Sequence, residues 1–267
     1  MLYYYNIWLG GVWDSLAKML EENYANPENA HCTVVMGAYV HNPISEIRKT
    51  ITSPIIIYQT EPLVENHWWR IEHIVNNIRG ADEVWDFDYQ NVQILQSYGI
   101  DAKFRPPLYT ERLKNVQNIE NPDIDVLFYG TLTPYRSKMI YDLKEGPFIP
   151  HTHFHIVNNM NIMTLYNFTG SKLQEYIARS KIILNISPYD GDRRQEQVRI
   201  FYNLINGKCV ISEKAPINYY EEMVPEYVGF QGLSDTILSL LDNDNWKKYT
   251  NLDFKSHSEN MRKKYNI

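Results

Sequence analysis

Residues 180–213, SKIILNISPYDGDRRQEQVRIFYNLINGKCVISE, decide the fold that this sequence predicts. The apolar run at 182–186 has the length and β-branched character of a buried parallel strand, and a polar loop follows it at 187–195. Apolar side chains at helical spacing then predict a helix over 196–206, and a glycine leads into a second short strand at 209–212. This order of elements predicts a βαβ unit.

The loop of this unit and the first turn of its helix carry the polar side chains. In a βαβ unit, ligands bind beyond the carboxyl ends of the strands, where this loop lies. Arginines beside a helix N-terminus, with its free N–H groups and partial positive charge, suit a phosphate group. The alternative is a solvated loop capped by surface charges. The polar residues concerned are Tyr189, Arg193, Arg194, Glu196 and Arg199.

Length and charge exclude some classes of protein. The 267 residues are enough for one large domain or two smaller ones, each with a full core. A net charge of -6 argues against a general nucleic-acid binder, which needs a basic excess to displace counterions. Cys32 and Cys209 lie in apolar runs and are predicted to be buried thiols. With neither a signal peptide nor a membrane span in the sequence, we expect an intracellular, cytoplasmic protein.

The first part of the chain alternates apolar runs with amphipathic segments. This alternation is typical of a doubly wound, Rossmann-like α/β domain with a parallel sheet, and we assign residues 1–108 to it. The predicted strands cover 2–8, 32–39, 54–59, 82–88 and 102–107, and the predicted helices cover 12–23, 68–78 and 89–98.

A polar stretch at 109–123 is predicted to be a linker, after which the same alternation restarts. We assign 124–245 to a second Rossmann-like domain, and we expect the polar, helical segment 246–267 to pack back on the first. Two such domains would face a cleft. The predicted strands of the second domain cover 125–130, 153–157, 182–186, 209–212 and 227–230, and its helices cover 135–143, 171–180, 196–206 and 234–241.

Candidate catalytic carboxylates occur in the first domain. Gly10 and Gly11 end the first strand, where paired glycines let backbone approach a phosphate or sugar closely, or simply form a tight turn. Asp14 follows in the first helical turn, as a general base or as a group that stabilises the helix N-terminus. Glu61 follows the third strand and could bind an acceptor hydroxyl, act as base, or cap the next segment.

The second domain begins with a similar phosphate-binding pattern. A strand ends at Gly130, and Thr131, Pro134, Tyr135 and Arg136 follow at the start of a helix. Together with the arginines of the βαβ unit, this gives the domain two basic helix starts, whose strands are close in a parallel sheet. The pattern suggests a diphosphate held by backbone amides and arginines rather than by a metal.

Two patterns in the sequence resemble metal sites, and several catalytic motifs are absent from it. Asp190, Gly191 and Asp192 form a D-x-D, which can hold a divalent cation. His151, His153 and His155 alternate and could share one face of a strand, as zinc ligands do. Two arginines follow the D-x-D at once, and the histidines have no obvious carboxylate or cysteine partner nearby, so we predict no metal site. The G-x-S-x-G, P-loop and G-x-G-x-x-G signatures are absent, which argues against hydrolase, P-loop and dinucleotide-binding functions.

The segments FYGTLTPYR, at 128–136, and QVRIFYNLINGKCVIS, at 197–212, resemble the donor-binding domain of GT-B-fold glycosyltransferases. The similarity is to small group-1-like and spore-coat-related members, of the compact kind that large DNA viruses and some bacteria encode. In the first motif the matching residues are Gly130, Pro134, Tyr135 and Arg136, and in the second they are Arg199, Phe201 and Gly207.

The resemblance implies two Rossmann-like domains around a cleft and transfer of a sugar from a nucleoside-diphosphate sugar to a hydroxyl of an oligosaccharide or glycoprotein glycan. It implies no cofactor, since the nucleotide sugar is a substrate. Tyr202 stands where the family usually has the ribose-binding glutamate, so Glu196 or Asn203 would replace it. The implied donor-binding residues are Gly10, Gly11, Gly130, Thr131, Arg136, Tyr189, Arg194, Glu196, Arg199 and Asn203.

The function we predict is therefore an inverting, metal-independent glycosyltransferase in which Asp14, or failing it Glu61, removes the acceptor proton. A retaining reaction would need no such base. Two alternatives stay open: a nucleotide-sugar epimerase of the same fold, and a non-catalytic module that binds glycan or nucleotide.

Overall fold

A computed structural model of the chain describes residues 3–6, 12–64, 71–142, 152–157, 160–165, 170–191 and 194–267. The chain forms two compact units. Unit 1 comprises Met1–Thr110 and Ser258–Ile267, and unit 2 comprises Glu111–His257. Each unit contains a sheet of its own. Among the described residues, no helix has both the length and the apolar character needed to cross a membrane.

The sheet of unit 1 has five strands, all parallel. Its central strands are runs of β-branched and other apolar residues that are buried along their whole length, as expected for a parallel sheet covered on both faces. In chain order the strands are β1 (Tyr3–Asn6), β2 (Thr33–Met36), β3 (Ile55–Gln59), β4 (Glu83–Asp86) and β5 (Ala102–Phe104). The helices between them are α1 (Val12–Tyr24), α2 (Ile44–Ile47), α3 (Ile71–Ile78) and α4 (Tyr89–Ser97).

The order of these five strands corrects one prediction. They lie side by side in chain order, from β1 to β5, whereas a doubly wound sheet reverses direction at an internal strand. The α/β class with a parallel sheet is confirmed, but the doubly wound topology is wrong for the described strands of unit 1. An apolar run specifies a buried strand, but it does not specify which strand lies beside it, so the sequence pattern left this order undetermined.

The sheet of unit 2 has six strands, and its strand order does reverse at an internal strand. β8 lies on one side of β6 and β9 on the other, so the strand order is β11-β10-β9-β6-β8-β7. Every neighbouring pair is parallel except β7 with β8, which form an antiparallel edge. The strands are β6 (Ile124–Tyr129), β7 (Thr152–Val157), β8 (Met160–Leu165), β9 (Ser180–Asn185), β10 (Cys209–Glu213) and β11 (Glu226–Tyr227).

The βαβ unit predicted from residues 180–213 is confirmed. β9 and β10 are parallel neighbours, with Ile183 opposite Val210, and α7 (Gln197–Ile205) connects them. β8 was not predicted, because its run MNIMTL mixes polar and apolar residues without a regular alternation. The other helices of this part of the chain are α5 (Pro134–Asp142), α6 (Gly170–Ala178), α8 (Gly229–Leu241) and α9 (Phe254–Tyr265).

The end of the chain contains two elements where one helix was predicted. A run of 3-10 turns covers Asp242–Tyr249, Asn251 has a left-handed φ of 53°, and α9 then begins. The last residues of α9 belong to unit 1. There the Tyr265 ring lies 4.7 Å from that of Phe104, and Arg262 Nη2 donates to Oδ1 of Asn23 at 2.6 Å.

The predicted linker at 109–123 is held in place by one side chain of unit 2. Asn206 Oδ1 accepts hydrogen bonds from the backbone N–H groups of Asn115 and Val116, at 2.9 Å each. Its Nδ2 donates to the carbonyl of Leu113 at 2.9 Å. A buried asparagine thus satisfies several backbone groups of this polar segment.

Candidate functional site

The reversal of strand order in unit 2 places a crevice at the carboxyl ends of β6 and β9. In open α/β sheets, ligands bind where the connections of two neighbouring strands depart to opposite sides, because the loops there leave backbone and side chains exposed between them. In unit 2 these loops follow Tyr129 and Asn185. The first leads into α5 and the second into α7, and both helices bring an arginine to this edge.

Arg136, in the first turn of α5, is almost fully buried. Its Nε donates to the carbonyl of Ile186 at 3.0 Å, and its Nη1 donates to the carbonyl of Thr131 at 3.1 Å. Its guanidinium carbon also lies 5.7 Å from the centre of the Phe128 ring. The side chain therefore joins the loop after β6 to the loop after β9.

Arg199, in the first turn of α7, also extends its guanidinium to the Phe128 ring. Its guanidinium carbon lies 5.1 Å from the Phe128 ring centre, Nε donates to the carbonyl of Tyr129 at 3.0 Å, and Nη1 donates to Oδ1 of Asn185. Burial and then the nearby charge of Arg136 lower the pKa of Arg199 to about 10, which still leaves it charged at neutral pH. Two buried guanidinium groups thus share one aromatic ring.

Gly130 is the first residue of the loop after β6, and it lies directly beside the guanidinium of Arg199. It has a φ of 131°, in the region that favours glycine, and a Cβ added to it would lie 2.7 Å from Nη2 of Arg199. The residue must therefore be glycine both for the turn and for the close approach of the guanidinium.

Two further contacts fix the loops around the arginines. Glu213, at the end of β10, accepts a hydrogen bond from the Tyr135 hydroxyl at 2.6 Å and another from the Ser187 N–H at 3.3 Å. Thr133 donates to the carbonyl of Pro188, and its hydroxyl accepts from the backbone N–H of Arg136. One buried carboxylate and one capping hydroxyl thus connect the same two loops. Glu213 and Thr133 were not predicted as site residues, although Thr133 lies within the motif at 128–136 and Glu213 directly follows the motif at 197–212.

Among the described residues, Glu196 is the carboxylate that forms an ion pair with Arg136. It immediately precedes α7, and its Oε2 lies 3.3 Å from Nη2 of Arg136. The structure thus brings together five of the predicted donor-binding residues: Gly130, Thr131, Arg136, Glu196 and Arg199. Because Arg136 and Arg199 bring two guanidinium groups to this edge, the cluster offers cationic hydrogen-bond donors that suit an anion.

Asn203, rather than Tyr202, faces this edge of unit 2. Its Nδ2 donates to the Tyr129 hydroxyl at 2.6 Å, and burial raises the pKa of that hydroxyl to about 12. Its Oδ1 is buried without a hydrogen-bond partner among the described residues. Tyr202 instead donates to Oδ1 of Asn115 at 2.8 Å. Of the two ribose-binding candidates, Glu196 is thus paired with an arginine, and Asn203 has an unused acceptor.

Two further predicted donor-binding residues lie in the loop after β9. Tyr189 and Arg194 are half-buried in the loop after β9, where the Arg194 carbonyl accepts from the Ser187 hydroxyl at 3.2 Å. The remaining predictions fall on residues or side chains outside the described part of the chain: Gly10, Gly11, His151, Asp192 and Arg193, together with the side chains of His153 and His155. Among the described residues, no cluster of histidine, cysteine or acidic side chains could hold a metal ion. Cys32 and Cys209 are buried free thiols, as predicted.

The two predicted carboxylates of unit 1 differ in their surroundings. Asp14 is exposed in the first turn of α1. Glu61 is half-buried just beyond the carboxyl end of β3, and Gln59 holds its backbone through both the N–H and the carbonyl. Asn91 donates to the same carbonyl at 3.0 Å. The chain at Glu61 is therefore rigidly held.

A buried polar network supports this turn, and the sequence analysis missed it. Gln59 also donates to Oδ2 of Asp86 at 2.9 Å and accepts from the Tyr39 hydroxyl at 2.8 Å. Asp86 is completely buried at the end of β4, where it also accepts from the backbone N–H of Asp88 at 2.7 Å. In the sequence, Gln59 and Asp86 are polar residues at the ends of two apolar runs. That pattern places both at the edge of the sheet, but it does not show that they pair with each other.

Comparisons with known proteins identify the fold. No protein-family model matches the chain, and no curated protein sequence matches it either. Among solved structures, the chain is similar to TarM, with a TM-score of 0.54 and 12% identity over 88% of this chain and 52% of TarM. It therefore spans about half the length of TarM.

Two similar structures are complexes of an alpha-glucosyltransferase. The complex with UDP-glucose and DNA containing an abasic site has a TM-score of 0.54 and 10% identity, over 88% of this chain and 76% of that one. The complex with UDP and a 13-mer DNA has a TM-score of 0.52 and 11% identity, over 86% and 74%. At this identity the likeness shows the fold alone, and it confirms that the chain has the Rossmann-like α/β fold shared with these proteins.

Proposed function

We propose that this protein is a glycosyltransferase that moves a sugar from a nucleoside-diphosphate sugar to a hydroxyl of a glycan acceptor. The observation that carries the proposal is the pair of buried guanidinium groups, Arg136 and Arg199, at the carboxyl ends of β6 and β9. Burying two like charges together is unfavourable unless an anion joins them. UDP is the first nucleotide to test, because the alpha-glucosyltransferase with the same fold binds UDP-glucose.

The reaction is a displacement at the anomeric carbon. A general base removes the proton of the acceptor hydroxyl as its oxygen bonds to that carbon, and the bond from the carbon to the diphosphate oxygen breaks. The electron pair leaves with the diphosphate. Arg136 and Arg199 stabilise the charge that develops there, which is the role of a preorganised electrostatic site. Attack from the opposite face of the sugar inverts the anomeric configuration.

Asp14 is our first candidate for the base and Glu61 our second. Asp14 lies in the first turn of α1, which follows β1, and Glu61 follows β3, so both lie at the carboxyl edge of the sheet in unit 1. Parallel sheets bind their ligands at that edge. A carboxylate can act as the general base that takes the proton of an acceptor hydroxyl.

We also propose that the transfer needs no metal ion, because the two guanidinium groups supply the positive charge that a cation supplies elsewhere. The acceptor is proposed to be a glycan. The solved alpha-glucosyltransferase complexes contain DNA, but the net charge of -6 gives this chain no basic excess for binding a phosphate backbone.

The test is binding followed by turnover. Thermal shifts with UDP, GDP, CDP, dTDP and NAD, each with and without EDTA, should reveal stabilisation by one nucleoside diphosphate that survives EDTA. Arg136→Gln and Arg199→Gln should each weaken that binding by at least about tenfold. Arg179→Gln is the matched control, since this arginine lies in the same unit and pairs with Asp123 at 2.6 Å.

Circular dichroism would establish that each variant is folded. The proposal fails if both active-site variants bind the nucleotide as tightly as Arg179→Gln does. Tight nucleotide binding without sugar transfer to any of a broad set of glycans would instead favour a binding module, and donor conversion without acceptor would favour an epimerase.

A further inference from the structure

Glu196 covers the buried guanidinium of Arg136. Oε2 of Glu196 lies 3.3 Å from Nη2 of Arg136, and the side chain of Glu196 is 35% exposed whereas that of Arg136 is 4% exposed. Within the described part of the chain, Nη2 is buried and makes no hydrogen bond, so the carboxylate is near enough to attract it but misaligned with its N–H groups. The pairing compensates charge and leaves the hydrogen-bonding capacity of Nη2 unused.

Within the described residues, Glu196 pairs with Arg136 rather than with its own helix. It occupies the N-cap position of α7, yet its side chain makes no capping hydrogen bond. Its charge acts on the arginine pair instead, since it opposes the lowering of the Arg199 pKa that burial and Arg136 produce. Because a buried cation without a counter-charge is strongly unfavourable, the pair needs an anion in the unliganded protein.

We propose that Glu196 is an exchangeable counter-ion for Arg136, which the diphosphate of the donor displaces. A diphosphate oxygen takes the place of the carboxylate at Nη2, and Glu196 turns towards solvent. This inference rests on the proposed function and goes beyond it. Glu196 then competes with the donor, and it also competes with the nucleoside-diphosphate product, whose release it promotes by returning to Arg136.

A counter-ion and a donor-binding residue predict opposite changes in ligand affinity when Glu196 is replaced. If Glu196 held the ribose, its replacement would weaken nucleotide binding and leave the binding of inorganic pyrophosphate unchanged. If Glu196 is the counter-ion, its replacement strengthens the binding of both ligands, because the competing negative charge is gone. Pyrophosphate therefore separates the two roles, since it has no ribose.

The experiment is calorimetric titration of the full chain with pyrophosphate and with UDP, comparing the wild type, Glu196→Gln and Glu175→Gln. Glu175 is the matched control: an exposed glutamate of the same unit that pairs with Lys172 and Arg179. We expect Glu196→Gln to bind both ligands about two- to fivefold more tightly, the range expected for removing one partly exposed ion pair. Glu175→Gln should bind them as the wild type does.

A double-mutant cycle tests whether the effect acts through Arg136. In an Arg136→Gln background, Glu196→Gln should no longer tighten pyrophosphate binding. Unchanged or weaker pyrophosphate binding by Glu196→Gln in the wild-type background overturns the exchange alone. If neither ligand binds to the wild type or to Glu196→Gln, the proposed function fails and the exchange fails with it.

Discussion

A Cβ atom added to Gly130 would lie 2.7 Å from Nη2 of Arg199, closer than any real side chain is found. The backbone turn after β6 and the position of a guanidinium in α7 therefore depend on each other. The same glycine has a left-handed φ of 131°. Its replacement should disturb the proposed diphosphate site directly.

For this reason, Gly130→Ala should lose donor binding as well as stability. We expect the strained backbone to cost about 1–3 kcal/mol, measured by urea unfolding, and nucleotide affinity to fall because Arg199 must move. Gly170→Ala is the matched control, since Gly170 also has a left-handed φ, of 62°, but nothing lies within 4 Å of the added Cβ. It should lose stability alone. Equal nucleotide affinity in the two variants would contradict this account.

Tyr135→Phe should loosen the two loops of the site. The variant removes the 2.6 Å hydrogen bond to the buried carboxylate of Glu213, and hydrogen bonds to charged groups contribute about 1.5–3 kcal/mol. We expect a loss of unfolding free energy of that size and a several-fold rise in the dissociation constant for the nucleotide. Tyr202→Phe, which removes an exposed hydrogen bond to Asn115, should change neither by as much. The reverse ranking would show that Glu213 does not position the site.

Asn206→Ala should release the segment at 113–118 from the end of α7. The side chain accepts from two backbone N–H groups and donates to the carbonyl of Leu113, so its loss leaves several partners unsatisfied. We expect a loss of about 2–4 kcal/mol in unfolding free energy and faster hydrogen exchange at Asn115 and Val116. Unchanged exchange at these two amides would mean that Asn206 does not hold the segment.

Lys208 should make stability depend on pH in the mildly alkaline range. Burial lowers its pKa from 10.5 to about 8 in the folded protein. Below the folded value the lysine is charged in both states and its burial is fully unfavourable. As the pH rises from 8 towards 10.5, the folded state releases its proton first, so this penalty is relieved and stability rises.

The measurement is urea unfolding of the wild type and Lys208→Met at pH 7 and pH 9. The unfolding free energy of the wild type, relative to that of the variant, should increase by about 1 kcal/mol between the two pH values. Lys248→Met, at an exposed position, is the control and should show no such change relative to the wild type. A constant difference between wild type and Lys208→Met would mean that Lys208 titrates normally.

Asp14→Asn should abolish sugar transfer without weakening the binding of the nucleotide. A general base contributes about 10²- to 10⁴-fold to the rate, and the amide cannot accept the proton. Donor affinity should stay at the wild-type level, since Asp14 belongs to unit 1 and the arginine pair to unit 2. If Glu61→Gln shows this loss of rate and Asp14→Asn does not, the base is Glu61; if neither variant shows it, the inverting mechanism is wrong.

Local sequence was enough to predict most elements of this fold. The apolar run before Asn185 and the helical spacing after Glu196 predicted β9 and α7, because burial and backbone propensity act over a few residues. The same reasoning found Arg136 and Arg199 as helix-start arginines. It missed the network of Gln59 and Asp86, whose members become partners only when β3 and β4 pair.

By itself, then, the sequence determined the two α/β halves, the βαβ unit at 180–213, and the positions of the arginines and glycine within their segments. Only the tertiary structure decided that β9 lies beside β6, that Arg136 and Arg199 meet over Phe128, and that Asn203 rather than Tyr202 faces Tyr129. The physical reason is the distance along the chain over which each interaction acts. Periodicity and turn chemistry are properties of neighbouring residues, whereas strand order and the meeting of distant side chains depend on contacts that form only when the whole sheet has assembled.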